Sequence, residues 1–104
     1  MSDIRRAKKA LIARILEGGG AASHAQRRAA FDGAGLPGTL GALVQKVRKH
    51  AHAVTDDDFA AARGAGLSED EAFEIVVCAA VGEANRQHEA ALAALQAATA
   101  KESA

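Results

Sequence analysis

Four histidines, one cysteine and two runs of carboxylates are the side chains in this 104-residue sequence best suited to move protons, hold a metal or attack an electrophile. His50 and His52 stand two residues apart on a helical pattern, so their side chains diverge by about 200° and cannot chelate one ion from a regular helix. His50 falls at the border of an apolar stripe, where a half-buried, hydrogen-bonded imidazole is expected. His88 falls on the inner side of a long helical pattern between Ala84 and Ala91, beside Gln87, a position that would line a small polar pocket or an interface. His24 reads as exposed. Asp56, Asp57 and Asp58 are consecutive, whereas a calcium loop needs ligands at alternating positions, a glycine turn and a closing glutamate. At the start of a helix, three carboxylates complement the helix dipole instead. Glu69, Asp70 and Glu71 repeat the arrangement one helix later. Cys78 lies within Val76-Val77-Cys78-Ala79-Ala80 and should pack as a small apolar residue. Glu74, four residues earlier, would raise its pKa, the wrong direction for a nucleophile. A single cysteine allows neither an intrachain disulfide framework nor a thiolate metal cage, and no metal or cofactor site is expected.

Helices alone must position these groups: hydrophobic periodicity gives an all-α chain of four to five helices and no strand. In the first, Ser2 and Asp3 can cap, Ile4, Leu11, Ile12, Ile15 and Leu16 line one side, and Gly18-Gly19-Gly20 ends it as a flexible joint. No strand precedes these glycines and no Gly-Lys-Ser/Thr follows, which argues against a phosphate loop. A second helix is expected over 23–32, with His24, Arg27 and Arg28 on its polar side and Ala25, Ala29 and Phe31 inward. The third should run from near Thr39 to about Ala53, with Leu40, Leu43, Val44, Val47, Ala51 and Val54 at helical spacing. Thr55 then caps a short helix, Val54 can staple onto Phe59, and Gly66 supplies the left-handed stop. Ser68 and Glu71 form a capping box for the longest helix, 69–98. There Phe73, Val77, Ala80, Ala84, Ala91 and Leu95 keep step along one side, widened by Ile75, Val76, Val81 and Leu92. Thirty helical residues span about 45 Å, whereas a compact chain of this length has a radius of gyration of about 13 Å. Either the helix breaks near Gly82 or its far end packs on another subunit, and the alanine-rich tail favours the second. Glu83, Arg86 and Glu89 at spacings of three form a surface ion-pair ladder. Residues 101–104 should fray.

The length gives a single domain, 1–104, with a thin core, since there are three Phe and no Trp or Tyr. No apolar run approaches the roughly 20 residues needed to cross a bilayer. Arg5, Arg6, Lys8 and Lys9 are followed by no apolar signal region, so a cytoplasmic protein without membrane contact is expected. The formal net charge of zero hides a division. Residues 1–50 carry ten Lys/Arg against three Asp/Glu, and residues 51–104 carry three against ten. A one-sided block of this kind can mark a nucleic-acid arm, but no reader motif accompanies it. Pairing of the basic half with the acidic half, within the chain or between copies, is the simpler reading.

Read as a unit, Leu43-Val44-Gln45-Lys46-Val47, Val54-Thr55-Asp56, Ala65-Gly66-Leu67-Ser68-Glu69-Asp70-Glu71-Ala72-Phe73-Glu74-Ile75-Val76 and Ala80-Val81-Gly82 resemble the AhpD-like and carboxymuconolactone decarboxylase-like superfamily. The likeness covers roughly residues 40–95. It implies an all-helical fold that assembles into symmetric homo-oligomers, often trimers or hexamers. The peroxidase members of that family reduce hydroperoxides through a Cys-x-x-Cys pair followed by a histidine. Counted back from Gly66, those three residues would fall, within a residue, at Ala51, Val54 and Asp58, so the thiols are absent. The resemblance therefore implies a homo-oligomer without disulfide-based peroxidase activity. Decarboxylase-like members use polar residues in a subunit-interface pocket, and His50, Asp58, Glu74 and His88 are the candidates for that role. A basic-faced nucleic-acid or protein-binding module using Arg5, Arg6, Lys8, Lys9, Arg27 and Arg28 is the remaining alternative.

Overall fold

A computed structural model describes residues 2–103, with side-chain surroundings for residues 3–101. Five helices follow one another, α1 (Ser2–Glu17), α2 (His24–Asp32), α3 (Gly38–His50), α4 (Asp56–Gly64) and α5 (Glu69–Ser103), with a 3-10 turn at Ala51–Ala53 between α3 and α4. No strand occurs among the described residues. The expected all-α architecture is what forms.

Local chemistry sets the helix ends. Ser23 and Gln26 close a capping box at the start of α2, the Gln26 amide donating to Ser23 Oγ at 3.1 Å. Asp58 Oδ2 accepts from the Thr55 amide at 2.9 Å at the start of α4. The Ser68 and Glu71 amides exchange bonds with each other's side chains at 3.0 and 3.1 Å ahead of α5. Gly33 ends α2 with φ 77° and Gly66 follows α4 with φ 104°, both in the left-handed region where a Cβ is penalised. The Ser2 cap expected for α1 lies outside the described side chains, and Ala104, expected to fray, lies outside the described residues. The helix itself runs on through Ser103.

The core lies where α2, α3 and α4 meet the first half of α5. Ile75, Ala72 and Ala79 are fully buried there with Cys78, against Ala30, Val44 and Ala62. The inward face of α5 is thus Ala72, Ile75, Cys78, Ala79 and Gly82, small residues around one large aliphatic, Ile75. Gly82 lets α2 come close: a Cβ there would meet the Phe31 carbonyl and would sit 2.8 Å from the Phe31 Cα. This corrects the expected face. Phe73 is 62% exposed and Leu95 63%, and Ala80, Ala84 and Ala91 between them are exposed too. That stripe points outward because α2 crosses α5 on the other face, where Gly82 lets the Phe31 backbone come close.

Helix α5 is continuous through Gly82, so the alternative of a break there is ruled out. Helix α1 runs antiparallel along it. Cys78 Sγ reaches the Ile15 carbonyl at 3.6 Å, and seven residues back along α1 the Lys8 ammonium meets Glu89. The chain measures 57 × 27 × 21 Å with a radius of gyration of 16.1 Å, well above the roughly 13 Å of a compact chain.

Two further expectations are corrected. The Gly18–Gly20 segment is not a free joint: Glu74 accepts from the Ala21 amide at 2.8 and 3.0 Å, and a Cβ on Gly20 would run into that carboxylate. Arg27, expected on the polar side of α2, is buried, with 3% exposure. Its Nε donates to the Ala22 carbonyl at 3.1 Å and its Nη1 to the carbonyls of Gly18 at 2.7 Å and Ile15 at 3.2 Å. It satisfies carbonyls at the end of α1 that the helix itself leaves open.

Candidate functional site

The densest group of titratable side chains near a candidate residue sits on the seam between α1 and α5. Lys8 Nζ lies 2.6 Å from Glu89 Oε1 and 2.8 Å from His88 Nδ1. A lysine ammonium has only hydrogens to give, so His88 accepts at Nδ1 and carries its proton on Nε2. The hydrogen bond from Lys8, with its charge, holds the Glu89 carboxyl below the ordinary carboxylate range. Asn85 lies in the same seam with its Oδ1 buried and without a hydrogen-bond partner among the described residues. Two open clefts flank the group, of about 320 and 300 Å³, and Lys8, Ile12, Asn85 and His88 border both. An imidazole whose lone pair is taken by an ammonium is not free to accept a substrate proton. The arrangement ties α1 to α5 more readily than it performs acid–base chemistry.

The other three candidates stand elsewhere, Glu74 and Asp58 at separate structural posts and His50 in solvent. Glu74 spends its carboxylate on the amides of Ala21 and Ala22. It borders a cleft of about 180 Å³ with Arg27, Phe73 and Cys78. Asp58 accepts from Lys46 Nζ at 2.9 Å and closes the α4 capping box, and these hydrogen bonds from Lys46 and then Thr55 lower its pKa. His50 is exposed, which corrects the expectation of a half-buried histidine. The backbone leaves the α-helical region there, with φ −145° and ψ 53°. The turn that follows brings the His52 ring edge-on to it, with centroids 6.2 Å apart. The regular-helix divergence expected for this pair does not hold across that break. Glu74 and His88 face different clefts, and no hydrogen bond or ion pair joins any two of His50, Asp58, Glu74 and His88 among the described residues. No group of three His, Cys, Asp or Glu side chains able to hold a metal occurs among the described residues.

The expected thiol positions fall in and just after the 3-10 turn, with Ala51 exposed and Val54 half-buried. Cys78 is buried, as its sequence context implies, and burial pushes its thiol up, with Arg27 opposing and Glu74 adding to the shift.

The charge division is met partly inside the chain. Lys8–Glu89, Lys46–Asp58 and Arg48–Glu83 each join the basic half to the acidic half, at 2.6, 2.9 and 3.2 Å. Glu83 also takes Arg86 at 3.0 Å, as the ladder reading has it, but Glu89 pairs with Lys8 rather than with Arg86. The Arg86 guanidinium turns instead to the Phe31 carbonyl at 2.6 Å. With Arg27 buried, Lys8 engaged and Arg28 lying 3.9 Å from Asp32, the basic face narrows to Arg5, Arg6 and Lys9.

Sequence reasoning passed over a cleft of about 590 Å³ between α4 and the first turns of α5, bordered by Asp56, Phe59, Arg63, Glu69, Asp70 and Phe73. Its one signal in the sequence is the pair of acidic helix starts, whose spacing argues against a calcium loop and suits the helix dipole. No family model, curated protein or solved structure matches the chain.

Proposed function

We propose that this chain is a divergent AhpD-like, carboxymuconolactone decarboxylase-like helical protein that works as a homo-oligomer and carries no disulfide-based peroxidase chemistry. The observation that carries the reading is α5. It is one uninterrupted 35-residue helix whose second half extends beyond the core and keeps large apolar side chains in the open, Leu95 at 63% exposure with Phe73 at 62% near its start. Ile4 and Leu11 of α1 are 59% and 51% exposed beside it. Single apolar residues on a surface are ordinary, so the weight of the reading falls on the overhang of α5, with these four side chains of α1 and α5 as its open apolar surface. Against peroxidase chemistry stand Ala51 and Val54 at the positions the family's thiols would take, and a lone Cys78 held neutral by burial.

Light scattering at micromolar concentration tests the assembly: a mass that is a multiple of 10.6 kDa is expected, and the mass of a single chain overturns it. Hydroperoxide consumption with a dithiol reductant tests the chemistry. The expected rate is that of buffer, and turnover abolished by Cys78→Ala would contradict the reading. A cysteine-independent decarboxylase needs at least two of His50, Asp58, Glu74 and His88 in one pocket, and within one chain they stand apart.

A further inference from the structure

The outward stripe of α5 has an internal symmetry that specifies how a second copy would meet it. Phe73 and Leu95 each stand eleven residues from Ala84, the half-buried Val77 and the exposed Ala91 each seven, and Ala80 and His88 each four. An antiparallel neighbour turned about a two-fold axis at Ala84 would therefore set every member of the stripe against a member of the same stripe. The large exposed residues, Phe73 and Leu95, would cover one another at the two ends. The alanines would meet in the middle, where helix axes can approach to about 8 Å. Such self-complementarity is what a two-fold interface requires. The antiparallel sense also sets the acidic first turn of one α5, Glu69 to Glu71, beside the last turns of the other, which carry Lys101.

The elongated chain as a whole has surface to spare. It exposes 6813 Å², whereas a compact monomer of this mass exposes about 5,500 Å². The excess over the whole chain, roughly 1,300 Å², compares with the approximately 800 Å² per partner that a standard interface covers. From Phe73 to Leu95 the stripe is about 33 Å long. Leu11, 51% exposed, widens it from α1 and borders with Ala84 and His88 the open cleft of about 300 Å³.

We propose that two copies of the chain pair antiparallel along the outer stripe of α5, about a two-fold axis near Ala84. The pairing rests on the homo-oligomeric reading above and names the surface it uses. Ala84→Cys places one thiol per copy at the axis, where Cβ atoms come close enough for a disulfide. Mild oxidation should cross-link that variant in good yield, whereas the wild type, whose Cys78 is buried, should not cross-link. Phe73→Cys and Leu95→Cys should cross-link when the two variants are mixed and not when either is oxidised alone. Ala84→Glu, an exposed position whose replacement leaves the core untouched, should halve the mass of the assembly or raise its dissociation constant at least tenfold. A wild type that is a single chain by light scattering overturns both readings. A wild-type assembly that survives Ala84→Glu, with no cross-link through Ala84→Cys, overturns the α5 pairing alone.

Discussion

Removing the Arg27 guanidinium should unfold the chain's N-terminal attachment and much of its stability with it. Arg27→Met keeps the apolar stem and removes three hydrogen bonds, to the carbonyls of Ala22, Gly18 and Ile15, of which Ile15 keeps the Cys78 thiol at 3.6 Å. A hydrogen bond from a charged donor contributes about 1.5–3 kcal/mol. The bond to Ala22 is buried and counts in full, while those to Gly18 and Ile15 are only partly buried and count at about half. The relief of no longer burying a charge offsets part of the loss, which leaves a net effect of about 3 kcal/mol. That is a large share of the roughly 5–15 kcal/mol by which domains are stable. With about 2.1 cal/mol/K of unfolding entropy per residue, it corresponds to a fall in Tm of about 14 °C. Urea unfolding followed by circular dichroism at one fixed protein concentration reads the change, and the midpoint should drop by about 2 M. Arg28→Met is the control: its guanidinium is exposed and lies 3.9 Å from Asp32, so its loss should change stability by less than about 0.5 kcal/mol. If Arg27→Met costs less than about 1 kcal/mol, the claim that this side chain holds α1 to α2 is refuted.

Gly82→Ala sets two effects against each other: helix propensity favours alanine by about 1 kcal/mol, but the new Cβ would strike the Phe31 backbone. Packing should win with a net loss of at least about 1 kcal/mol in the same urea assay, and a gain would refute the close approach of α2. Glu83 is hydrogen-bonded by Arg86, Gln87 and Arg48, which lower its pKa from the ordinary 4.5. A depressed folded pKa stabilises above the unfolded value and the benefit fades as pH falls through the folded one, so stability should decline from about pH 5 toward pH 3 and decline less steeply in Glu83→Gln. Cys78, buried and raised above its ordinary 9.0, should react with iodoacetamide at pH 8 at least about 100-fold more slowly in the folded chain than in denaturant. Equal rates would place the thiol at the surface.

The features legible in the sequence were those set by a few neighbouring residues. The Thr55 cap, the Ser68 and Glu71 capping box and the Gly66 stop each act within one turn of chain, so residue type and spacing are enough for them, whereas the second carboxylate role of Asp58 in the Thr55 box appears only in the structure. Orientation was harder. Helix α5 carries two apolar stripes, and periodicity favours the bulkier one through Phe73, Val77 and Leu95. The core takes the other, through Ala72, Ile75, Cys78 and Ala79, and Gly82 on that face is where the Phe31 backbone of α2 comes close. Arg27 gave no local sign, since its partners come from the loop before α2 and from α1. Glu74 likewise draws its meaning from a loop 53 residues away. His50 was misread for a different reason: the α-helix ends one residue before the 3-10 turn, and the assumed face ends with it. The candidate site suffered most, because His50, Asp58, Glu74 and His88 were chosen by residue type, and each turns out to serve a nearby structural need or to stand in solvent.

Amide hydrogen exchange along α5 at increasing protein concentration bears most directly on the claim that the outer stripe is covered by another copy. In an isolated chain the second half of α5 has few neighbours, and its amides should exchange through low-energy local opening. Association would suppress that opening, so protection across residues 84–98 should rise with concentration and fall back in Ala84→Glu. Exchange over those residues that is fast and independent of concentration up to about 100 µM, where a specific dimer of micromolar affinity would be nearly fully formed, would contradict the account.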